Sequence, residues 1–126
     1  MGNGRSYEKT VTTVLSEPSS SLVAMLLQEV AYDDRLEGCL MREHSGAVPV
    51  AVYSLEEAVR FLSDTFPLVN VSDLVSWIRK AIGDKELSEK IEEAVKGESC
   101  TMSGIRIAAG LMAQRLGQIH ERRVRL

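Results

Sequence analysis

The hydrophobic positions of the chain follow a helical spacing first, an alternating spacing next, and a helical spacing again. The first apolar residues that recur about every 3.6 positions are Leu22, Val23, Leu26, Leu27 and Val30. The serines at positions 19, 20 and 21 offer N-caps for a helix. This pattern predicts a first helix that begins near Ser19 and ends near Leu36, because Gly38 supplies a stop signal.

The segment ahead of this helix has a different character. Residues 1–10 carry glycines and charges without an apolar period, which indicates a flexible leader. The β-branched stretch from Thr10 to Leu15 favours a short strand. The length of 126 residues is that of one domain, so we expect residues 1–126 to form a single domain.

The spacing changes to strict alternation in the middle of the chain, where three valines at positions 48, 50 and 52 are interleaved with Ala47, Pro49 and Ala51. Alternation predicts a small β-hairpin near residues 39–53. Pro49 lacks an amide hydrogen, so its strand should lie at the edge of the sheet. The alternative is that Cys39 and Leu40 extend the first helix.

Four further helices are predicted by capping signals and apolar stripes. Ser54 and Glu57 form a capping box for a helix that carries Phe66 on its apolar face and ends at Pro67. The next three helices have their expected bounds at Ser72 or Asp73 to Gly83, at Asp84 to Gly97, and at Thr101 to Val124. The predicted fold is therefore mainly α, with about five helices in a compact bundle and the hairpin beside them.

Composition and charge narrow the class of protein. Hydrophobic residues make up 44% of the chain and charged residues 26%, with a net charge of −3, which is typical of a globular domain. No secretion signal and no apolar run of ~20 residues is visible, so we expect a cytoplasmic protein without a membrane span. Two cysteines rule out a disulfide framework. We expect neither a cofactor nor a bound metal.

Three stretches resemble the motifs of a small helical module of unassigned role from archaeal and bacterial proteins. Its motifs S-L-x-E-L, D-F-x-N-W-I and G-D-x-E-L-A correspond to Ser54–Glu57, Asp73–Ile78 and Gly83–Ser88. Leucine replaces Phe at Leu74, and serine replaces Asn at Ser76. The match extends over about residues 50–95. The resemblance implies a helical interaction module and no particular catalytic activity.

Two sets of charged residues support alternative functions. Glu29, Asp33 and Glu37 would share one face of a continuous first helix, as in carboxylate-metal hydrolases, although a solvated helix face explains them more simply. The last helix carries arginines that could contact the phosphates of a nucleic acid or nucleotide. The helix dipole explains these cations equally well. The four arginines are Arg115, Arg122, Arg123 and Arg125.

The last helix and the only tryptophan provide the candidate binding surfaces. An apolar seam with heptad spacing predicts a homodimer interface, unless the helix is simply central in its own fold. The seam consists of Ile105, Ala109, Met112, Leu116 and Ile119. Trp77 is expected to be a core residue or to line a groove for a partner. The sequence thus favours a non-catalytic, self-associating interaction or accessory module that also binds an unidentified protein partner.

Overall fold

The computed structural model describes residues 15–98 and 100–125. The predicted leader, and the β-prone stretch apart from Leu15, lie outside the described residues. The α-helices are α1 (Ser20–Leu26), α2 (Leu55–Leu62), α3 (Val71–Trp77), α4 (Lys85–Val95) and α5 (Thr101–Arg125), and a π-helical segment (Ile78–Ile82) continues α3 up to Gly83. The strands are β1 (Leu36–Arg42), β2 (Gly46–Val52) and β3 (Pro67–Leu68). The fold is mainly α, as predicted, with a three-stranded antiparallel sheet.

The first helix is much shorter than predicted. It ends at Leu26, and the chain passes through a 3-10 turn at Tyr32–Asp34 before it enters β1. The amide of Val30 donates to the carbonyl of Tyr53 at 2.7 Å, and the whole of β1 pairs with β2. Because this pairing satisfies a complete ladder of main-chain groups, it outweighs the helical spacing of the local sequence. The predicted hairpin is confirmed, and the helical extension through Cys39 is wrong.

β1 is the central strand of the sheet, and its neighbours β2 and β3 are both antiparallel to it. One face of the sheet packs on α2. Gly38 permits this contact, because a Cβ atom at that position would lie 2.7 Å from the Phe61 ring and 2.8 Å from the Leu68 carbonyl oxygen. β3 was not predicted, because two residues are too few to produce an alternating pattern.

Capping side chains define the starts of four helices, among them α1, where the Ser19 hydroxyl accepts from the Leu22 amide. Ser54 Oγ accepts from the Glu57 amide at 3.1 Å, while Glu57 Oε1 accepts from the amide of Tyr53 and not from that of Ser54. Asn70 caps α3 in place of the predicted Ser72 or Asp73. Asp84 caps α4, as predicted. These caps fix the helix starts to within a residue or two of the expected positions.

The last helix lies at the centre of the fold, where α5 contacts α2, α3 and α4. Three residues of its predicted dimer seam, Ile105, Met112 and Ile119, have no exposed surface in the single chain. Ala109 and Leu116 are half-buried against the same core. The seam therefore packs inside this chain, and a surface for a second copy has to be sought elsewhere.

Candidate functional site

The face of the sheet that points away from α2 carries an exposed set of side chains, which we call the outer face. Residues that pair directly across an antiparallel ladder project to the same side. The registers pair Cys39 with Pro49 and with Leu68. The amide of Met41 donates to the carbonyl of Phe66 at 3.0 Å, so Phe66 continues the register of β3. The outer face consists of Glu37, Cys39, Met41, Ala47, Pro49, Ala51, Phe66 and Leu68.

The outer face is almost entirely apolar. Its large side chains are 57% exposed at Phe66, 40% at Met41 and 37% at Leu68. Glu37 is its single charged residue, and an ion pair of 3.0 Å with Arg35 holds that carboxylate at the margin. Exposed large apolar side chains that lie side by side are typical of an interaction surface, whereas scattered ones are ordinary.

The outer face has a raised side and a low side. Met41, Phe66 and Leu68 form a ridge along β1 and β3. The small residues of β2, Ala47, Pro49 and Ala51, form a shelf on the other side of β1. In the two antiparallel registers, Cys39 lies between the ridge and the shelf.

Pairing at the free edge of β2 is hindered by Pro49. The Met41 amide points toward β3, so by alternation the Cys39 main chain also points toward β3 and does not bond Pro49. The ring nitrogen of Pro49 therefore lies at the free edge, where it offers no donor to an incoming strand. The sheet is accordingly better suited to contacts through its face than through this edge.

A surface groove leads from the outer face to Trp77. Its first part, of about 450 Å³, is lined by Cys39 and Leu68 and shares Glu37 and Asp73 with the second part. The second part, of about 460 Å³, reaches Trp77 and Lys80. Trp77 is 6% exposed, and its indole N–H donates to the carbonyl of Asp34 at 2.8 Å. Trp77 is thus a core residue that also lines a groove.

The three acids considered for a metal site do not share a helix face. Glu29 follows the end of α1, Asp33 lies in the 3-10 turn, and Glu37 lies in β1. Within residues 15–98 and 100–125, no group of three or more histidine, cysteine, aspartate or glutamate side chains is placed to hold a metal ion. The continuous helix on which that alternative depended is absent from this part of the chain.

The C-terminal arginines for which side chains are described are engaged within the protein. Arg115 is completely buried, so it is not on the surface where a phosphate could reach it. The guanidinium of Arg122 donates to the carbonyl of Pro18 at 2.6 Å and to the hydroxyl of Ser20 at 3.0 Å. The side chains of Arg123 and Arg125 lie outside the described residues.

Arg115 lies at the centre of an ionic cluster that sequence reasoning missed. Its Nε donates to Asp84 at 2.8 Å, and one terminal nitrogen donates to Glu86 at 2.7 Å. The other terminal nitrogen donates to the carbonyl of Ser16 and to Gln118. Burial raises the pKa of the Glu86 carboxyl, but hydrogen bonds from Ser16 and Arg115 outweigh burial and leave that pKa below its usual value.

The two thiols differ in their surroundings. Cys39 is half-buried on the outer face, and Cys100 is exposed just before α5. The main-chain amides of Ser103 and Met102 donate to the Cys100 sulfur and lower the pKa of its thiol. Cys100 therefore ionises more readily than an ordinary cysteine.

Sequence reasoning missed the ridge because it assigned Phe66 to the apolar side of α2. That helix ends at Leu62, so Phe66 lies beyond it. The signal that could have identified this surface was Pro67, which disfavours a helical conformation in the residue before it. Met41 and Leu68 gave no such signal, because their exposure depends on the pairing of β1 with β3.

The chain matches no protein-family model, no curated protein and no solved structure. The resemblance to a prokaryotic helical module therefore stays a prediction. None of the helices formed by the described residues combines the length and the apolar character needed to cross a membrane.

Proposed function

We propose that this protein is a non-catalytic interaction module that associates with a second copy of itself through the outer face of its sheet. The observation that carries the proposal is the contiguous apolar surface formed by the ridge and the shelf. Homodimer interfaces are more apolar than other protein surfaces and are enriched in Phe and Met at their centre. The outer face has this composition.

The outer face can form the core of a dimer interface. Its three large side chains are 37–57% exposed, and the small residues Ala47, Pro49 and Ala51 are exposed beside them. A stable interface buries about 800 Å² on each partner. The groove margin and the hairpin turn at residues 43–45 surround the face and can supply a polar rim.

The shape of the outer face is complementary to itself. A two-fold axis parallel to β1 and near Cys39 would place the ridge of one copy over the shelf of the other. The reverse contact would follow by symmetry. Bulky side chains would then fill the space above Ala47, Pro49 and Ala51. Two ridges in contact would leave gaps, so this shape favours a second copy in one orientation.

We further propose that the module acts in the cytoplasm. Cys39 and Cys100 are both free thiols. Free thiols persist in a reducing compartment, which supports a cytoplasmic location.

We also propose that the helices around α5 act as a compact bundle that supports the sheet, since α2 packs both on β2 and on α5.

Replacing Phe66 by glutamate tests the proposed interface. Phe66 is largely exposed in the single chain, so the charge should leave the fold intact. Across a two-fold axis the change acts twice, and losing two buried rings should weaken association by roughly 3 kcal/mol, a hundredfold or more. Light scattering coupled to size exclusion should show a dimer for the unmodified protein and a folded monomer for Phe66→Glu.

Leu27→Glu provides the matched control. Leu27 is 45% exposed, follows the end of α1 and is not a residue of the outer face. This variant should keep the dimeric mass. A monomeric mass for the unmodified protein throughout the micromolar range would overturn the proposal, and so would equal dissociation by the two variants.

A further inference from the structure

The start of the described chain is held by side chains, and this contact has the form of a bound peptide. Residues 15–18, which we call the arm, lie in no helix or strand. They run along α5 and the first turn of α4. The side chains that contact the arm form what we call the trough, which consists of Glu86, Gln114, Arg115, Gln118 and Arg122.

The trough binds mainly to main-chain atoms of the arm. Gln114 Oε1 accepts from the Leu15 amide at 3.1 Å, and Gln118 Nε2 donates to the Leu15 carbonyl at 3.0 Å. Gln114 and Gln118 lie one helical turn apart, so together they contact both main-chain polar groups of Leu15 in the way a neighbouring strand would. Such contacts require an extended segment but few particular side chains.

The next main-chain groups of the arm are held in the same manner. Glu86 Oε2 accepts from the Ser16 amide at 3.1 Å, and Arg115 donates to the Ser16 carbonyl at 2.7 Å. Arg122 donates to the carbonyl of Pro18 at 2.6 Å. The Ser16 hydroxyl adds a contact of 2.6 Å to Glu86.

Besides the Ser16 hydroxyl, two buried side chains of the arm add selectivity. Leu15 is 3% exposed and belongs to the hydrophobic core, and Pro18 is also buried. The pattern that fits the trough is therefore an extended segment with an aliphatic residue three positions before a proline.

The trough is built on contacts that do not involve the arm. Asp84 Oδ1 accepts from the Leu87 amide at 3.1 Å, which fixes this carboxylate at the start of α4. The same carboxylate binds Arg115, whose side chain has no exposed surface. A binding group held in this way loses little freedom when a ligand arrives.

We infer that the trough is an exchangeable binding site for an extended segment of a partner protein with an aliphatic residue three positions before a proline, and that the arm is its tethered occupant. The arm competes with the partner from a high effective concentration because it belongs to the same chain. This site is separate from the outer face and does not depend on self-association.

A complementation experiment tests the inference. Leu15→Ser combined with Pro18→Ser weakens the arm and leaves every trough residue in place. The probe is a synthetic peptide of residues 13–20, and its control carries serine at the same two positions. We expect the peptide to bind the double variant saturably and to raise its melting temperature, with an affinity at least tenfold higher than for the unmodified chain.

The peptide experiment tests the inference whether or not the double variant folds without the peptide. If the variant is unfolded, recovery of its helical circular dichroism on addition of the peptide supports the inference. Gln118→Ala in the same background should reduce peptide affinity, whereas Gln28→Ala, at an exposed position outside the trough, should not. Lack of saturable binding or recovery at millimolar peptide would overturn the inference, as would equal responses to the two peptides.

Discussion

At the scale of single residues, Arg115 shows how burial changes the role of a charged side chain. As one of several arginines near the end of the chain, it is a plausible phosphate ligand in the sequence. In the structure its charge is balanced by Asp84 and Glu86, and one of its terminal nitrogens also donates to the arm. A buried charge is tolerated only when it is paired and fully hydrogen-bonded. Arg115 therefore organises the interior of the protein.

Arg115→Gln should destabilise the protein by about 3–5 kcal/mol, because the buried carboxylate of Asp84 loses its cationic partner. Urea denaturation followed by circular dichroism measures the loss. Arg60→Gln is the control: its ion pair with Glu56 is 3.9 Å long and exposed, so the change should cost at most ~1 kcal/mol. Similar losses in the two variants would contradict the structural role of Arg115.

At the scale of elements, the sequence predicted features that depend on neighbouring residues. The Ser54 and Asp84 caps and the start of α5 at Thr101 are as expected, since they depend on side chains within one turn. The predicted end of α1 was wrong because Val30 and β1 form main-chain hydrogen bonds with residues further along the chain, in Tyr53, β2 and β3. The outer face could not be predicted either, because it depends on the pairing of β1 with β3. β3 contributes only Pro67 and Leu68 to that ladder, which is too short to produce a pattern in the sequence.

The exposed side of α5 offers a test at this scale. A Cβ atom added at Gly110 or Gly117 would have no neighbour within 4 Å, so alanine fits at both positions. Each change should stabilise the protein by about 0.5–1 kcal/mol, because glycine is a poor helix former. Urea denaturation should show this gain, and a loss of stability would indicate that another surface covers this side of α5.

Gly38→Ala is the opposing control for these two glycines. Its added Cβ atom would lie 2.7 Å from the Phe61 ring, so either the ring or the strand must shift. We expect destabilisation at this position under the same conditions.

At the scale of the whole molecule, the fold separates a supporting side from a contacting side. The helices bury one face of the sheet, and the central α5 uses its apolar seam to hold them together. The outer face is left with bulky residues on one half and small residues on the other. An antiparallel sheet with one covered face usually carries polar residues on its free face. The apolar character of the outer face is the reason to expect a second copy there.

Alkylation of Cys39 at increasing protein concentration reports directly on whether a second copy covers the outer face. Cys39 lies between the ridge and the shelf, so a second copy should shield its thiol, while the exposed Cys100 provides an internal reference. We predict that the alkylation rate of Cys39 falls through the micromolar range relative to that of Cys100, and that Phe66→Glu abolishes this fall. A Cys39 rate that is the same at every concentration in the unmodified protein would contradict self-association through the outer face.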